Sequence, residues 1–196
     1  MPRLLSPPRV GKSTLDALAG VSTATLTMQL LKRGVRHAYM VGVGPLAGTA
    51  RLVGQAETWR FVPMREDVST LESLGRQGSS RDAIEAAPEG CIIVADACRC
   101  TSAGIMGDIL AARMAQRGIK AVVTDGAVRD AAGVLATGLP VFAAGSAAPP
   151  TITAVHFADR DLVIGCGGVM VRPGDVVVGD ADGVVIVPVE MAESIA

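Results

Sequence analysis

A chain of 196 residues is long enough to bury a substantial core, and it is read as one domain spanning 1–196. With 49% hydrophobic residues, 3% aromatics and 23 glycines, that core must be built from Val, Ala, Leu and Ile in a tightly turned chain, which favours an α/β or β-rich class. The net charge of −1, the modest basic excess of residues 1–37 (six Lys/Arg against one Asp) and the near absence of aromatic platforms for bases argue against nucleic acid as a partner.

The N-terminal stretch MPRLLSPPRVGK has no apolar core of the signal-peptide kind and carries two consecutive prolines. No apolar run approaches the ~20 residues of a membrane helix, so no membrane partner is expected. Cys91, Cys98, Cys100 and Cys166 lie mostly in strand-like or tight-turn contexts, and Cys98-x-Cys100 lacks a second pair or a nearby His at zinc-ligand spacing. Free structural thiols and a cytoplasmic setting follow.

Gly11-Lys12-Ser13-Thr14 imitates the end of a phosphate-binding loop, but the glycine required five positions before Gly11 is Ser6, and no strand precedes it. Ser13 or Thr14 reads better as a helix cap, and Ser22-Thr23 opens a second amphipathic helix closed by Gly34. Residues 37–43 and 49–53 read as strands, with His37 a strand-end residue. Residues 60–89 turn polar and charged without a sustained period and read as a loop with one short helix near 81–85.

From Gly90 the pattern sharpens. Residues 91–95 form an apolar run of buried-strand type, residues 102–107 a small-residue loop, and residues 108–117 a helix stopped by Gly118. The unpaired amides near Gly107, Asp108, Ile109 and Leu110 form a ready anion site without any basic side chain. The pattern by itself assigns Asp108 no more than a capping role.

Residues 121–123 form another buried strand ending in Thr124-Asp125-Gly126, and Ala127 onward has helical composition, so Arg129 and Asp130 stand just past a strand's C-terminal end. That is where loops converge on ligands in α/β sheets. An adjacent guanidinium and carboxylate can bind an anion and a hard cation together, although the same pair also reads as a surface ion pair in a helix's first turn. Residues 140–144 read as a strand. The valine-rich runs of 163–188, broken by Pro-Gly-Asp and Asp-Gly turns, read as consecutive β-strands before a closing helix over 189–196. His156, in what reads as a polar connection, is a candidate acid or ligand with no partner identifiable from spacing.

These motifs, GDILA (107–111), RG (117–118), DGAVRD (125–130), LPVFA (139–143) and CGGVMVRPGDVVVGDADGVVIVP (166–188), resemble the family of the regulator of ribonuclease activity A and the class II 4-hydroxy-4-methyl-2-oxoglutarate aldolases over most of the chain. The resemblance implies an α/β/β/α sandwich and trimers or hexamers with active sites at subunit interfaces. The aldolase branch is similar in having an aspartate twenty residues before an Arg-Asp pair, as Asp108 stands to Arg129-Asp130. Regulators tend to carry glycine at the first of these positions and an acidic residue where this chain has Gly133.

What the resemblance implies chemically suits these residues. Cleavage next to a 2-oxo acid leaves a pyruvate enolate, whose charge a divalent cation, Mg²⁺ or Mn²⁺, stabilises. Asp130 is then the metal ligand, and Arg129 pairs with the enolate and carboxylate. The amides at 107–110 hold the carboxylate, and Asp108 orients or activates a metal-bound water. The rival is a non-catalytic regulator binding a ribonuclease or helicase. A methyltransferase reading finds no glycine-rich strand-to-helix turn to support it.

Overall fold

The computed structural model describes residues 8–48 and 51–196; the first seven residues, Ser6 among them, and residues 49–50 lie outside the described residues. Leu18, Leu26 and Leu30 define the buried faces of α1 (Lys12–Ala19) and α2 (Thr23–Lys32). Ser22 caps α2 by accepting the Thr25 amide hydrogen at 3.2 Å. α1 instead starts behind Gly11 with no side-chain cap, because Ser13 and Thr14 already lie inside its first turn.

Residues 37–43 are not a strand. Their pairing is one isolated bridge, Tyr39 with Val185, and the chain turns away at Gly42, whose φ is +79°. After the two-residue β1 (Gly44–Pro45) comes the long β2 (Leu52–Pro63), which corrects the expectation of a loop from Arg60 onward. Trp59 and Phe61 are buried on either side of the exposed Arg60, and this alternation carries the strand to Pro63. Next come α3 (Ser80–Ala86), β3 (Ile92–Asp96), α4 (Asp108–Gln116) and β4 (Ala121–Thr124). The helical stretch expected from Ala127 begins later: β5 (Ala127–Val128) is paired first, and α5 (Ala131–Ala136) follows. The chain continues through β6 (Val141–Ala143), β7 (Gly145–Ser146), β8 (Val155–Arg160), β9 (Ile164–Cys166), β10 (Val169–Val171), β11 (Val176–Asp180) and β12 (Gly183–Val187). The closing helix is shorter than expected, a 3₁₀ turn over Val189–Met191 and then α6 (Ala192–Ile195).

β2 organises the sheet by changing partners along its length. Its first residues pair antiparallel with β11, residues 56–60 pair parallel with β3, and its end pairs antiparallel with β8, giving an eight-stranded mixed sheet in which seven strands run in the order β1-β6-β4-β3-β2-β11-β12 and β8 joins off that path, on β2. Strand alternation then sorts the aliphatic residues into layers. Ile92, Val94, Ala121 and Val123 face Val177, Val184 and Ile186 in a central core. Ile93, Ala95 and Val122 point the other way, onto Ile84, Met114 and Val134 of α3, α4 and α5. Val176, Val178, Val185 and Val187 turn outward onto the leucines of α1 and α2 and onto Ile195 of α6. The result is the expected α/β/β/α sandwich. Strands covered on both faces explain the unbroken apolar runs of the sequence.

One ionisable group is set inside this sheet. Glu57 on β2 is 5% exposed and accepts a hydrogen bond from Arg160 at 2.8 Å, while the same guanidinium lies 3.4 Å from Asp161. Burial, reinforced by Asp161, pushes Glu57 up from 4.5 to about 7, against the weaker opposing pull of Arg160. A carboxyl raised in the folded state contributes stability that is fully present below about 4.5 and is lost as pH rises through about 7. Glu57→Gln removes this titration, so the melting temperature of the variant relative to the wild type should climb across that window. A constant difference from pH 4 to pH 8 in thermal melts would show that Glu57 does not titrate there.

Candidate active site

Three parallel strands, β3, β4 and β6, end at the same edge of the sheet, and their following loops are stitched together by main-chain hydrogen bonds. The Ile105 amide donates to Ala127 O at 2.9 Å, Arg129 N to Met106 O at 2.8 Å, Ala147 N to Val128 O at 2.9 Å, and Gly104 N to Pro149 O at 3.0 Å. Asp125, 4% exposed, adds a staple by accepting from Ala97 N at 2.8 Å and Gly167 N at 3.2 Å. Convergence of loops at the carboxyl ends of parallel strands is the usual location of ligand sites in such sheets.

This scaffold brings five of the six expected residues onto one cavity of about 290 Å³: Gly107, Asp108, Ile109 and Leu110 from the start of α4, and Arg129 from the β4–α5 loop. A Cβ on Gly107 would lie 3.0 Å from Arg129 Cγ, so the arginine stem crosses directly over the first turn of α4. There the amides of Asp108, Ile109 and Leu110 have no acceptor within the helix. Guanidinium and free amides thus share one end of the cavity, a combination suited to a carboxylate.

Asp130 does not line that cavity. It occupies the N-cap of α5 in the left-handed region (φ 48°, ψ 53°), and its Oδ1 accepts the Gly133 amide hydrogen at 3.3 Å. Gly133 is the hinge between the two aspartates: a Cβ there would sit 2.8 Å from Asp130 Oδ2 and 2.9 Å from Asp108 Cβ. Any larger residue would force them apart. Asp108 faces both the cavity and the open groove between α4 and α5, so it stands between Arg129 and Asp130. Asp108 is not the cap that its sequence context suggests. Gly107 holds the N-cap position of α4, with no side-chain cap bond.

Among the described residues the second oxygen of Asp130 has no hydrogen-bond partner, and both aspartates offer the hard oxygens preferred by Mg²⁺ or Mn²⁺. Among the described residues of this one chain no group of three His, Cys, Asp or Glu side chains is placed to hold a metal ion. One or two carboxylates supplemented by water and substrate remain compatible with Mg²⁺. All four cysteines are free thiols.

The cavity also has a wall that spacing could not reveal. Segment 73–81, read from sequence as a polar loop running into a short helix at 81–85, supplies Ser73, Arg76, Ser79 and Arg81 to it. His156 lies on β8 rather than in a polar connection, and it lines the cavity with its Nδ1 3.2 Å from Ser69 Oγ. The two partners are 87 residues apart in the chain, so no local pattern could have paired them. The alternation Val155, Phe157 around His156 was the one available sign of a strand.

The chain matches the RraA-like family, described as aldolase/RraA, over residues 16–186. A Halalkalibacterium halodurans protein provisionally named 4-hydroxy-4-methyl-2-oxoglutarate aldolase is 32% identical over 183 residues, covering 92% of this chain and 73% of the relative. Among solved structures, Streptomyces coelicolor RraAS2, described as an unusual member of the RNase ES inhibitor RraA protein family, is similar at 30% identity and a TM-score of 0.86, covering 96% of this chain and 90% of that one. A Geobacillus kaustophilus structure described as S-adenosylmethionine:2-dimethylmenaquinone methyltransferase is similar at 27% identity and a TM-score of 0.64, over 86% of this chain and 95% of that one. With the match spanning both halves of the sandwich and every loop of the cavity edge, the chain belongs to the RraA-like, aldolase/RraA, family.

Proposed function

We propose that the protein is a divalent-metal-dependent carbon–carbon lyase acting on small 2-oxo acids through a pyruvate enolate. It would be a 4-hydroxy-4-methyl-2-oxoglutarate-type aldolase that also decarboxylates oxaloacetate. The observation that carries this reading is the meeting of Asp108, Arg129 and the free amides of α4 on one cavity, with Asp130 adjacent across Gly133. The amides of Gly107, Asp108, Ile109 and Leu110 hold the substrate carboxylate, and the planar fork of Arg129 pairs with that carboxylate and with the oxygen that gains charge. Asp108 takes the proton of the 4-hydroxyl, directly or through a water. The C3–C4 bond then breaks, its electron pair passes to the pyruvate half as the enolate, and the other half leaves as a carbonyl compound. Protonation at C3 releases pyruvate. Asp130 would hold the divalent cation, which when bound supplies Lewis-acid stabilisation of the charge on the 2-oxo acid oxygens.

The same reading has the protein working in the cytoplasm as a homotrimer or hexamer. Ile109, 78% exposed at the cavity's edge, is the kind of apolar side chain that a subunit interface covers. Among the described residues no helix is long and apolar enough to cross a membrane.

Pyruvate release from oxaloacetate, measured against the metal-only background, tests the proposal. Turnover is expected with Mg²⁺ or Mn²⁺ and should stop with EDTA; undiminished turnover in excess chelator would remove Asp130 from its metal role. The second reading, a non-catalytic regulator of a ribonuclease or helicase, is favoured by the likeness to RraAS2. It becomes the better one if neither metal supports turnover above background.

A further inference from the structure

The wall of the cavity contributed by β8 and segment 73–81 holds a histidine whose ring is oriented by a buried hydroxyl. Ser69 is 7% exposed; its Oγ accepts the Arg65 amide hydrogen at 3.3 Å and lies 3.2 Å from His156 Nδ1. Among the described residues, Nδ1 is the one acceptor that the Ser69 hydroxyl hydrogen reaches. Because Ser69 Oγ already accepts from Arg65, its hydroxyl hydrogen is available to Nδ1, and in the tautomer that accepts it the imidazole proton sits on Nε2. Nε2 has no hydrogen-bond partner among the described residues, while His156 itself lines the cavity.

The neighbouring groups on this wall share one preference. Arg76 and Arg81 line it, Arg76 being only loosely held by Glu72 at 3.6 Å, and the Oγ of Ser79 is buried without a partner among the described residues. The one carboxylate among the described residues that line the cavity is Asp108, on α4. A wall of N–H and O–H donors with two guanidinium groups is complementary to an oxygen anion. At about 290 Å³ the cavity is at the small end of ligand sites, so an acid anchored at Arg129 would reach this wall within a few bonds.

We propose that His156 is a specificity-determining residue: it donates Nε2–H to the distal carboxylate of a 2-oxo dicarboxylate, on the half that leaves, and Ser69 is the positioning residue that fixes its tautomer. The assignment of the leaving half rests on the lyase reading above; the anion preference of this wall does not.

The chain has two histidines, His37 and His156, so the nitrogens of [¹⁵N]histidine-labelled protein can be assigned by comparison with His156→Phe. With Mg²⁺ present, the His156 spectrum should be that of the Nε2–H tautomer. 2-Oxoglutarate should shift Nε2, and 2-oxopentanoate, which has the same length without the distal carboxylate, should not. The affinity ratio of these two acids should fall about 10- to 100-fold in His156→Phe, the scale of one hydrogen bond to a charged group. Ser69→Ala should mix the tautomers and raise KM for 4-hydroxy-4-methyl-2-oxoglutarate far more than it lowers kcat, and Ser69→Thr should restore both. An Nδ1–H tautomer in the wild type, an equal Nε2 response to both acids, or an unchanged affinity ratio would overturn the proposal. Should the wild type release no pyruvate, the lyase reading fails by itself, and the spectra and affinities still decide the role of His156.

Discussion

Asp130→Asn should lose turnover by about 10²-fold or more while keeping the wild-type melting temperature. The first expectation follows from the proposed role of Asp130, because stabilisation of developing charge by a bound cation is worth several kcal/mol and a neutral amide holds that cation far less well. The second follows from local geometry. Asp130 stands in the left-handed region at φ 48° and caps α5 through the Gly133 amide, and asparagine tolerates that conformation and caps equally well. Asp130→Ala is the poorer experiment, since it removes the cap at a cost of about 1 kcal/mol and places a residue with no local hydrogen bond in a strained conformation. The measurement is kcat against metal concentration for Asp130→Asn, alongside thermal melting. Wild-type turnover with unchanged metal dependence would dismiss Asp130 as the metal ligand.

The layers of the fold were readable because each buried strand advertises itself: residues 91–95, 121–123, 176–178 and 184–187 are apolar on both faces, and both faces are covered by helix or sheet. Where the reading stopped short, local composition and tertiary environment pull in different directions. Arg60 resembles the start of a polar loop, yet it is the exposed position of a strand whose neighbours Trp59 and Phe61 are buried. Residues 37–43 have strand composition but make a single bridge to the free edge of β12, because the chain turns away at Gly42 before a ladder can extend. The candidate site divides the same way. Gly107, Asp108 and Arg129-Asp130 are visible as short motifs near element ends, whereas the opposite wall depends on Ser69, segment 73–81 and His156 meeting across long sequence separations. The identity of Gly133 also becomes intelligible only in space, where its missing side chain allows Asp108 and Asp130 to be neighbours.

Asp108→Ala separates chemistry from architecture at the residue where the two were hardest to tell apart. A helix-capping aspartate would cost about 1 kcal/mol of stability on removal and leave turnover intact. The structure assigns the N-cap of α4 to Gly107, and Asp108, one position further on, makes no side-chain cap bond. The remaining structural contribution of its charge is the interaction with the helix N-terminus, typically 0.3–1 kcal/mol where exposed and screened by salt. Melting temperature in moderate salt should therefore change little. If Asp108 handles the proton in the proposed cleavage, kcat should drop by roughly 10² to 10⁴-fold, the range typical of general acid–base catalysis, and KM should change less, because Arg129 and the main-chain amides still bind the carboxylate. Alanine is small enough not to disturb the close approach to Gly133, where the aspartate's own Cβ already fits. A near-normal kcat together with a clearly lowered melting temperature would return Asp108 to a purely structural role and leave the proposed reaction without its base.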